Sequence, residues 1–305
     1  MKSTRREFLK QALGVCAGAG LLSRLPERAF GKEKPWPDLV AVKGASPVQL
    51  FEAGIRALGG MGRFVKKGQA VLVKPNIGWS KTPSEAACTN PDLVAKVVAQ
   101  ALRAGAKDVF VFDHSVNVEK ECYERSGIEA AVRAAGGKMR SAEKESSYRK
   151  VKIPGGKVLA EALVHELYLD CDVVINVPIL KNHGGGRMTG CMKNLMGVVW
   201  DRRFYHRNGL MECIAEFPLV RKPDLNILDA YLVMTKNGPR GLSTEDLALK
   251  KMQLLSADLV LADTAATKVL DMEPGQVPYL KMAADLKLGS MDMDKAKIER
   301  VSLGS

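Results

Sequence analysis

The 305-residue sequence predicts a layered α/β fold, with a mostly parallel β-sheet flanked by helices in the Rossmann-like manner and room for two lobes. Three observations carry that prediction. Short β-branched runs alternate with helical stretches, the pattern of βαβ units. Several runs are apolar almost continuously, as parallel strands covered on both faces must be. The helical stretches open on a capping residue followed by proline and close on glycine. No fixed-period repeat or low-complexity linker divides residues 32–305, so a single α/β domain is expected there, after a distinct segment at residues 1–31.

The elements follow in order. "STRREFLK", then "ALGVCAGAGLL", then "SRLPERAFGK" gives a charged start, an apolar middle and small residues at a cut site, and this resembles a twin-arginine export signal. Arg5, Arg6, Phe8, Leu9 and Lys10 carry the pattern, and Ala29 and Gly31 stand three and one before the expected cut. The resemblance implies passage through the twin-arginine machinery to the periplasm. The apolar run is too short for a comfortable membrane span, so none is expected after cleavage.

Strands are predicted at "LVAVKG", "AVLVKPN", "DVFVFDHS", "DVVINVPIL", "LNILDAY" and "LVLADT". Helices are predicted at "SPVQLFEAGIRALGG" and "NPDLVAKVVAQALRAGA", with Ser46 and Asn90 as N-caps before Pro47 and Pro91. "SSYRKVKIPGGKVLAEALVHE" reads as a small β excursion.

Composition narrows the function classes. The chain carries 46 basic and 34 acidic residues, and removing the six basic and two acidic residues of the first 31 leaves an excess of eight. That charge is dispersed, with no basic block, helix-turn-helix or RNA-binding aromatic motif, so an anionic ligand or a mildly basic surface is expected instead of nucleic acid. Cys88, Cys122, Cys171, Cys191 and Cys213 remain after the segment holding Cys16, with no Cys-x-x-Cys pair, which excludes a zinc ribbon or ferredoxin-type iron–sulfur cluster.

Ligands of open α/β sheets bind beyond the carboxyl ends of the strands. Those ends hold Lys74 and Asn76, Asp113 and His114, Lys181 and His183, Asp229, and Asp263 with Thr264 and Thr267 opening the next helix. An Asp in such a place serves most often as a helix cap, and a lone His as a hydrogen-bonding residue; the conjunction is what points to a site. "LKNHGGGRMTGCMKNLMG" matches neither a P-loop nor a dinucleotide fingerprint. Its Gly184, Gly185 and Gly186 expose three successive amides, and Thr189 and Gly190 read as a helix start facing an anion. Lys181, Arg187, Lys193, Asn194 and Asn76 complete the expected anion-binding set.

"VLVKPN", "TNPDLV", "CDVVINVPILKNHGGGRMTGCMKNLMGVV", "KPDLNILDAY", "KNGPRG" and "SADLVLADTAATKVL", in this order, resemble the domain of unknown function 362 family. The resemblance implies recurrent positions at Lys74, Asn76, Lys181, His183, Thr189, Gly190, Lys193, Asn194, Asp229, Gly238, Pro239, Gly241 and Asp263. Some members carry ferredoxin-like cysteine clusters beside this domain; this sequence has none.

Three functions compete. In the first, an enzyme holds a small carboxylate or phosphate with Lys74, Lys181 and Lys193, and uses His183 or His114 as general acid or base, oriented by Asp113 or Asp229. In the second, His114, His183, Asp229 and Asp263 bind a divalent metal or cofactor as mixed nitrogen and oxygen ligands. In the third, the protein is a periplasmic binding or accessory protein with a redox partner. There the segment from Trp200 to Phe217 is a lid, with Arg202, Arg203 and His206 reaching inward, a partner surface, or a plain loop and helix.

Overall fold

The computed structural model describes residues 36–304. The twin-arginine reading of residues 1–31 therefore lies outside the described residues. From Trp36 onward the chain forms one compact unit, and no described helix is long and apolar enough to cross a membrane.

Twelve strands are present among the described residues: β1 (Leu39–Lys43), β2 (Ala70–Pro75), β3 (Asp108–Val111), β4 (Lys138–Met139), β5 (Tyr148–Lys152), β6 (Glu161–His165), β7 (Val173–Val177), β8 (Ile179–His183), β9 (Arg187–Thr189), β10 (Leu225–Met234), β11 (Leu247–Ser256) and β12 (Ile298–Ser302). The main sheet runs β12-β1-β11-β10-β7-β2-β3-β4, with β8 paired to β10 and β9, while β5 and β6 form a separate hairpin. From β10 through β7, β2 and β3 to β4 every pair is parallel. The α/β expectation thus holds, with the antiparallel strand β11 inserted between β1 and β10 and β9 antiparallel to β8.

Period-two burial explains the layers. Val71 and Val73 of β2 and Val173, Ile175 and Val177 of β7 join one apolar cluster, while Leu72 and Val174 join the other on the opposite face. Both faces are therefore apolar, and helices cover both. The helix Pro47–Ala57 begins at Ser46 with a full capping box, and Pro91–Arg103 begins at Asn90, whose side chain accepts from Leu93 N–H.

The structure corrects two expected strands. "LVLADT" is the start of a helix, Leu259–Val269, because Asp258 accepts from the amides of Val260 and Leu261 and nucleates the first turn. A short apolar run has no periodicity that separates a buried helix from a buried strand. "VVINVPIL" is two strands broken at Pro178, whose carbonyl accepts from Asp229 N–H. Lys181 and His183 consequently lie within β8, not in a loop, and the glycines form the turn of the β8–β9 hairpin.

Candidate functional site

A polar layer crosses the sheet level with the carboxyl ends of β2 and β7, beneath a pocket. Lys74 of β2 is paired with Asn176 of β7, Asn176 with Asn226 of β10, and Asn226 with Ser256 of β11, so the four stand in one row across the sheet. Asn176 Nδ2 donates to Asn226 Oδ1 at 2.9 Å, and Asn226 Nδ2 to the Ser256 carbonyl at 3.3 Å. From the helix Cys191–Asn194 above them, Asn194 Nδ2 donates to Asn176 Oδ1 at 2.8 Å and to the Lys74 carbonyl at 3.2 Å, while Asn76 Nδ2 donates to Asn194 Oδ1 at 3.1 Å. Buried amides need such partners, and these have them.

Lys74 belongs to this layer. It is fully buried, its Nζ lies 2.8 Å from Asp113 Oδ1 and donates to the Pro75 carbonyl, and Asp113 Oδ2 accepts from Ile77 N–H at 2.6 Å. Burial lowers the Lys74 pKa more than Asp113 raises it. Gly197 makes room for the pair: a Cβ there would lie 1.8 Å from Asp113 Oδ1. Lys181 is buried to 1% and donates to the Ala87 carbonyl at 2.7 Å and Asn76 Oδ1 at 3.3 Å. Burial brings its pKa down to about 8.

Above the layer lies a pocket of about 510 Å³, lined by His183, Thr189, Lys193, Arg202, Arg203 and His206 with Trp79, Val116, Met196 and Pro239. Asp201 caps the helix Arg202–Asn208 by accepting from Phe204 N–H. That helix turns Phe204 and Tyr205 toward the apolar core and Arg202, Arg203 and His206 toward the pocket. Arg202 donates to the carbonyls of His114 and Ser115 at 2.6 and 2.7 Å, which fixes the helix over the β3 end.

Every ionisable lining group is basic, and no carboxylate lines the pocket or forms a salt bridge with these side chains among the described residues. Burial, reinforced by the charges of Lys181, Arg202 and Lys74, pulls the Lys193 ammonium down to about 7. Burial and the Lys193, Lys181 and His206 charges hold His183 down to about 3, and His206 is lowered by burial, Lys193 and Arg202. His183 Nδ1 accepts from Gly186 N–H at 3.0 Å, which leaves the proton of the neutral ring on Nε2.

The sequence-predicted residues divide accordingly. His183, Thr189 and Lys193 line the pocket; Lys74, Lys181, Asn76 and Asn194 lie in the buried layer with internal partners. His114 is also apart, its Nδ1 3.0 Å from the Val199 carbonyl and its ring stacked on Trp200. Asp229 accepts from the amides of Asn90 and Tyr231, and burial raises its pKa to about 6. Arg187 turns outward to the Gln276 carbonyl. The glycine amides do not form an open cradle, since Gly184 N–H donates to the Gly238 carbonyl and Gly186 N–H to His183.

Asp263 gives the sharpest correction. It is fully buried inside the helix Leu259–Val269 and accepts from the amides of Cys191 at 2.5 Å and Met192 at 3.0 Å. The anion expected at the start of the "CMKN" helix is thus a side chain of the protein itself, and Gly190 permits the approach, since a Cβ there would lie 2.3 Å from Asp263 Oδ1. His114, His183, Asp229 and Asp263 each have separate partners, and among the described residues no group of three His, Cys, Asp or Glu is placed to hold a metal. All five described cysteines are buried and free.

Trp79, Val116, Met196 and Pro239 were not singled out as ligand-facing residues. Of these, Pro239 is among the recurrent positions that the family resemblance implies, while Trp79, in "NIGWS", is an aromatic just past a strand end and gave a local signal.

The family model described as Domain of unknown function (DUF362) matches residues 71–268, and the chain belongs to this family. It is 30% identical over 264 residues to the thylakoid-associated protein sll1697 of Synechocystis sp., spanning 79% of this chain and 77% of that protein. Among solved structures, the lactate racemase apoprotein of Thermoanaerobacterium thermosaccharolyticum is similar with a TM-score of 0.47 at 9% identity, covering 75% of this chain and 56% of that one. A Thermotoga maritima protein is similar with a TM-score of 0.45 at 10% identity, covering 80% and 60%. The chain spans less than two thirds of either structure.

Proposed function

We propose that this member of the DUF362 family is an enzyme that binds a small carboxylate or phosphate in the His183–Lys193–Arg203–His206 pocket and acts on it with an amine and an imidazole. One observation carries the reading: five basic side chains line a single pocket that no carboxylate lines. Arg202, Arg203 and a protonated Lys193 repel one another in a partly desolvated space, and a bound anion relieves that cost. Arg203 and His206, exposed at the mouth, supply charge for capture. His183 offers Nε2–H as a hydrogen-bond donor, and Lys193, near 7, exchanges a proton readily at neutral pH.

The twin-arginine pattern of residues 1–31 supports export of the folded chain to the periplasm as part of the same proposal. Replacing Arg5 and Arg6 by Lys and fractionating cells tests that part; accumulation in the cytoplasm is expected.

Thermal denaturation with millimolar sulfate, phosphate, acetate or pyruvate, against chloride at matched ionic strength, tests the binding. A ligand at a hundred times its Kd stabilises the native state by about 2.7 kcal/mol. The expected result is a rise in Tm with at least one of these anions that Arg203→Ala abolishes. Equal Tm in all salts would remove the reading.

A further inference from the structure

The three lysines near the carboxyl edge are not equivalent. Lys74 and Lys181 have oxygen acceptors and are sealed from solvent. Lys193 faces the pocket, and the one polar contact its Nζ makes among the described residues is the Met196 thioether at 3.7 Å. Its stem runs past Gly186, where a Cβ would lie 2.6 Å from Lys193 Cε and 2.8 Å from Cδ. Arginines beside it already supply fixed positive charge, and cationic neighbours favour the neutral amine, whose lone pair is available to attack. Trp79, Val116, Met196 and Pro239 give the same pocket an apolar wall.

We propose that Lys193 is a Schiff-base-forming amine and that the pocket takes a small carboxylate bearing a carbonyl carbon, its carboxylate held by Arg203 and His206. The inference rests on the anion-binding reading above and narrows its substrate class. The Nζ lone pair adds to the carbonyl carbon, giving a carbinolamine. A solvent proton joins the hydroxyl, water leaves, and the C=N bond forms as an iminium. The sum is amine plus carbonyl plus one proton giving iminium plus water, with no oxidant or reductant. His183 Nε2–H donates a hydrogen bond to the carbonyl oxygen as negative charge builds on it. Positive charge on the iminium then draws electrons from the adjacent bond, the usual advantage of amine catalysis.

Incubating the full chain with millimolar pyruvate, adding sodium borohydride and mapping peptides by mass spectrometry tests this. The expected result is a single reduced pyruvate adduct on the Lys193 peptide, suppressed by excess sulfate and absent from Lys193→Arg. If Lys193→Arg does not fold, mapping and sulfate competition on the unmodified chain still decide. Stabilisation by pyruvate or sulfate without an adduct at Lys193 overturns the Schiff base and leaves the anion site standing. Adducts scattered over surface lysines and indifferent to sulfate overturn it as well. Neither stabilisation nor adduct removes both readings.

Discussion

Two polar regions lie one above the other at the carboxyl edge of the sheet. In the lower one, Lys74, Asp113, Asn176, Asn194, Asn226 and Asp263 find partners in one another or in the backbone. In the upper one, Lys193, Arg203, His183 and His206 line a pocket that holds no carboxylate, and burial and neighbouring cations favour the neutral forms of Lys193, His183 and His206. Residue type does not distinguish them, since both contain lysine. Satisfaction does. A buried group with an internal partner contributes to stability and to the shape of the site above, whereas basic groups kept from their charged forms for want of a counter-ion gain one when an anion binds.

The largest effect expected from that contrast is at the ion pair. Asp113→Ala leaves the Lys74 ammonium buried without its partner, and unfolding by urea should show a loss of about 3–5 kcal/mol. Adding Lys74→Met should restore part of it. A loss under about 1 kcal/mol would mean that the pair is solvated and belongs with the pocket. Next in size, Asp263→Ala frees the Cys191 and Met192 amides and should cost about 1–3 kcal/mol by the same measurement. Arg203→Ala lies at the other extreme: stability should change by no more than about 0.5 kcal/mol, while the response to anions disappears.

The same contrast gives a dependence on pH. Lys193 titrates at about 7 in the fold against 10.5 as a free side chain, so between those values the unfolded chain binds more protons and stability rises with pH. Lys181, at about 8, adds a rise of the same sign above its own value. Urea midpoints of the unliganded protein should therefore increase from neutral pH upward, and Lys193→Met should flatten the lower part of that rise. A bound anion raises the Lys193 pKa and reduces the slope in the same way.

How far the sequence revealed this depended on which physical signal each residue carried. Ser46-Pro47 and Asn90-Pro91 announce helix starts by local chemistry, and both are helix starts in the structure. Before "LVLAD" no proline follows Asp258, and the apolar run fits strand and helix alike, so Asp263, expected at a strand end, lies inside a helix. The β11 strand, "LALKKMQLLS", escaped notice because Lys250 and Lys251 break its alternation. Lys251 sits at positive φ where the β10–β11 register shifts.

For the site, sequence order located the strand ends but could not tell which polar side chains face one another across the sheet. Lys74 with Asp113, and Asn176 with Asn226, are long-range pairs set by register. The segment from Trp200 to Phe217 reads equally as lid, partner surface or plain loop and helix, and only the placement of the helix Arg202–Asn208 over the β3 end joins Arg202, Arg203 and His206 to Lys193 and His183.

The proposed function makes the upper cluster a protonation-linked anion site. Isothermal titration of millimolar sulfate, which does not itself titrate at neutral pH, into the full chain at a pH just above 7 tests it when done in two buffers of different ionisation enthalpy. The account predicts a binding heat that depends on the buffer, corresponding to net proton uptake, and loss of that dependence in Lys193→Met. Binding with no buffer dependence, or no binding heat at all, would contradict it.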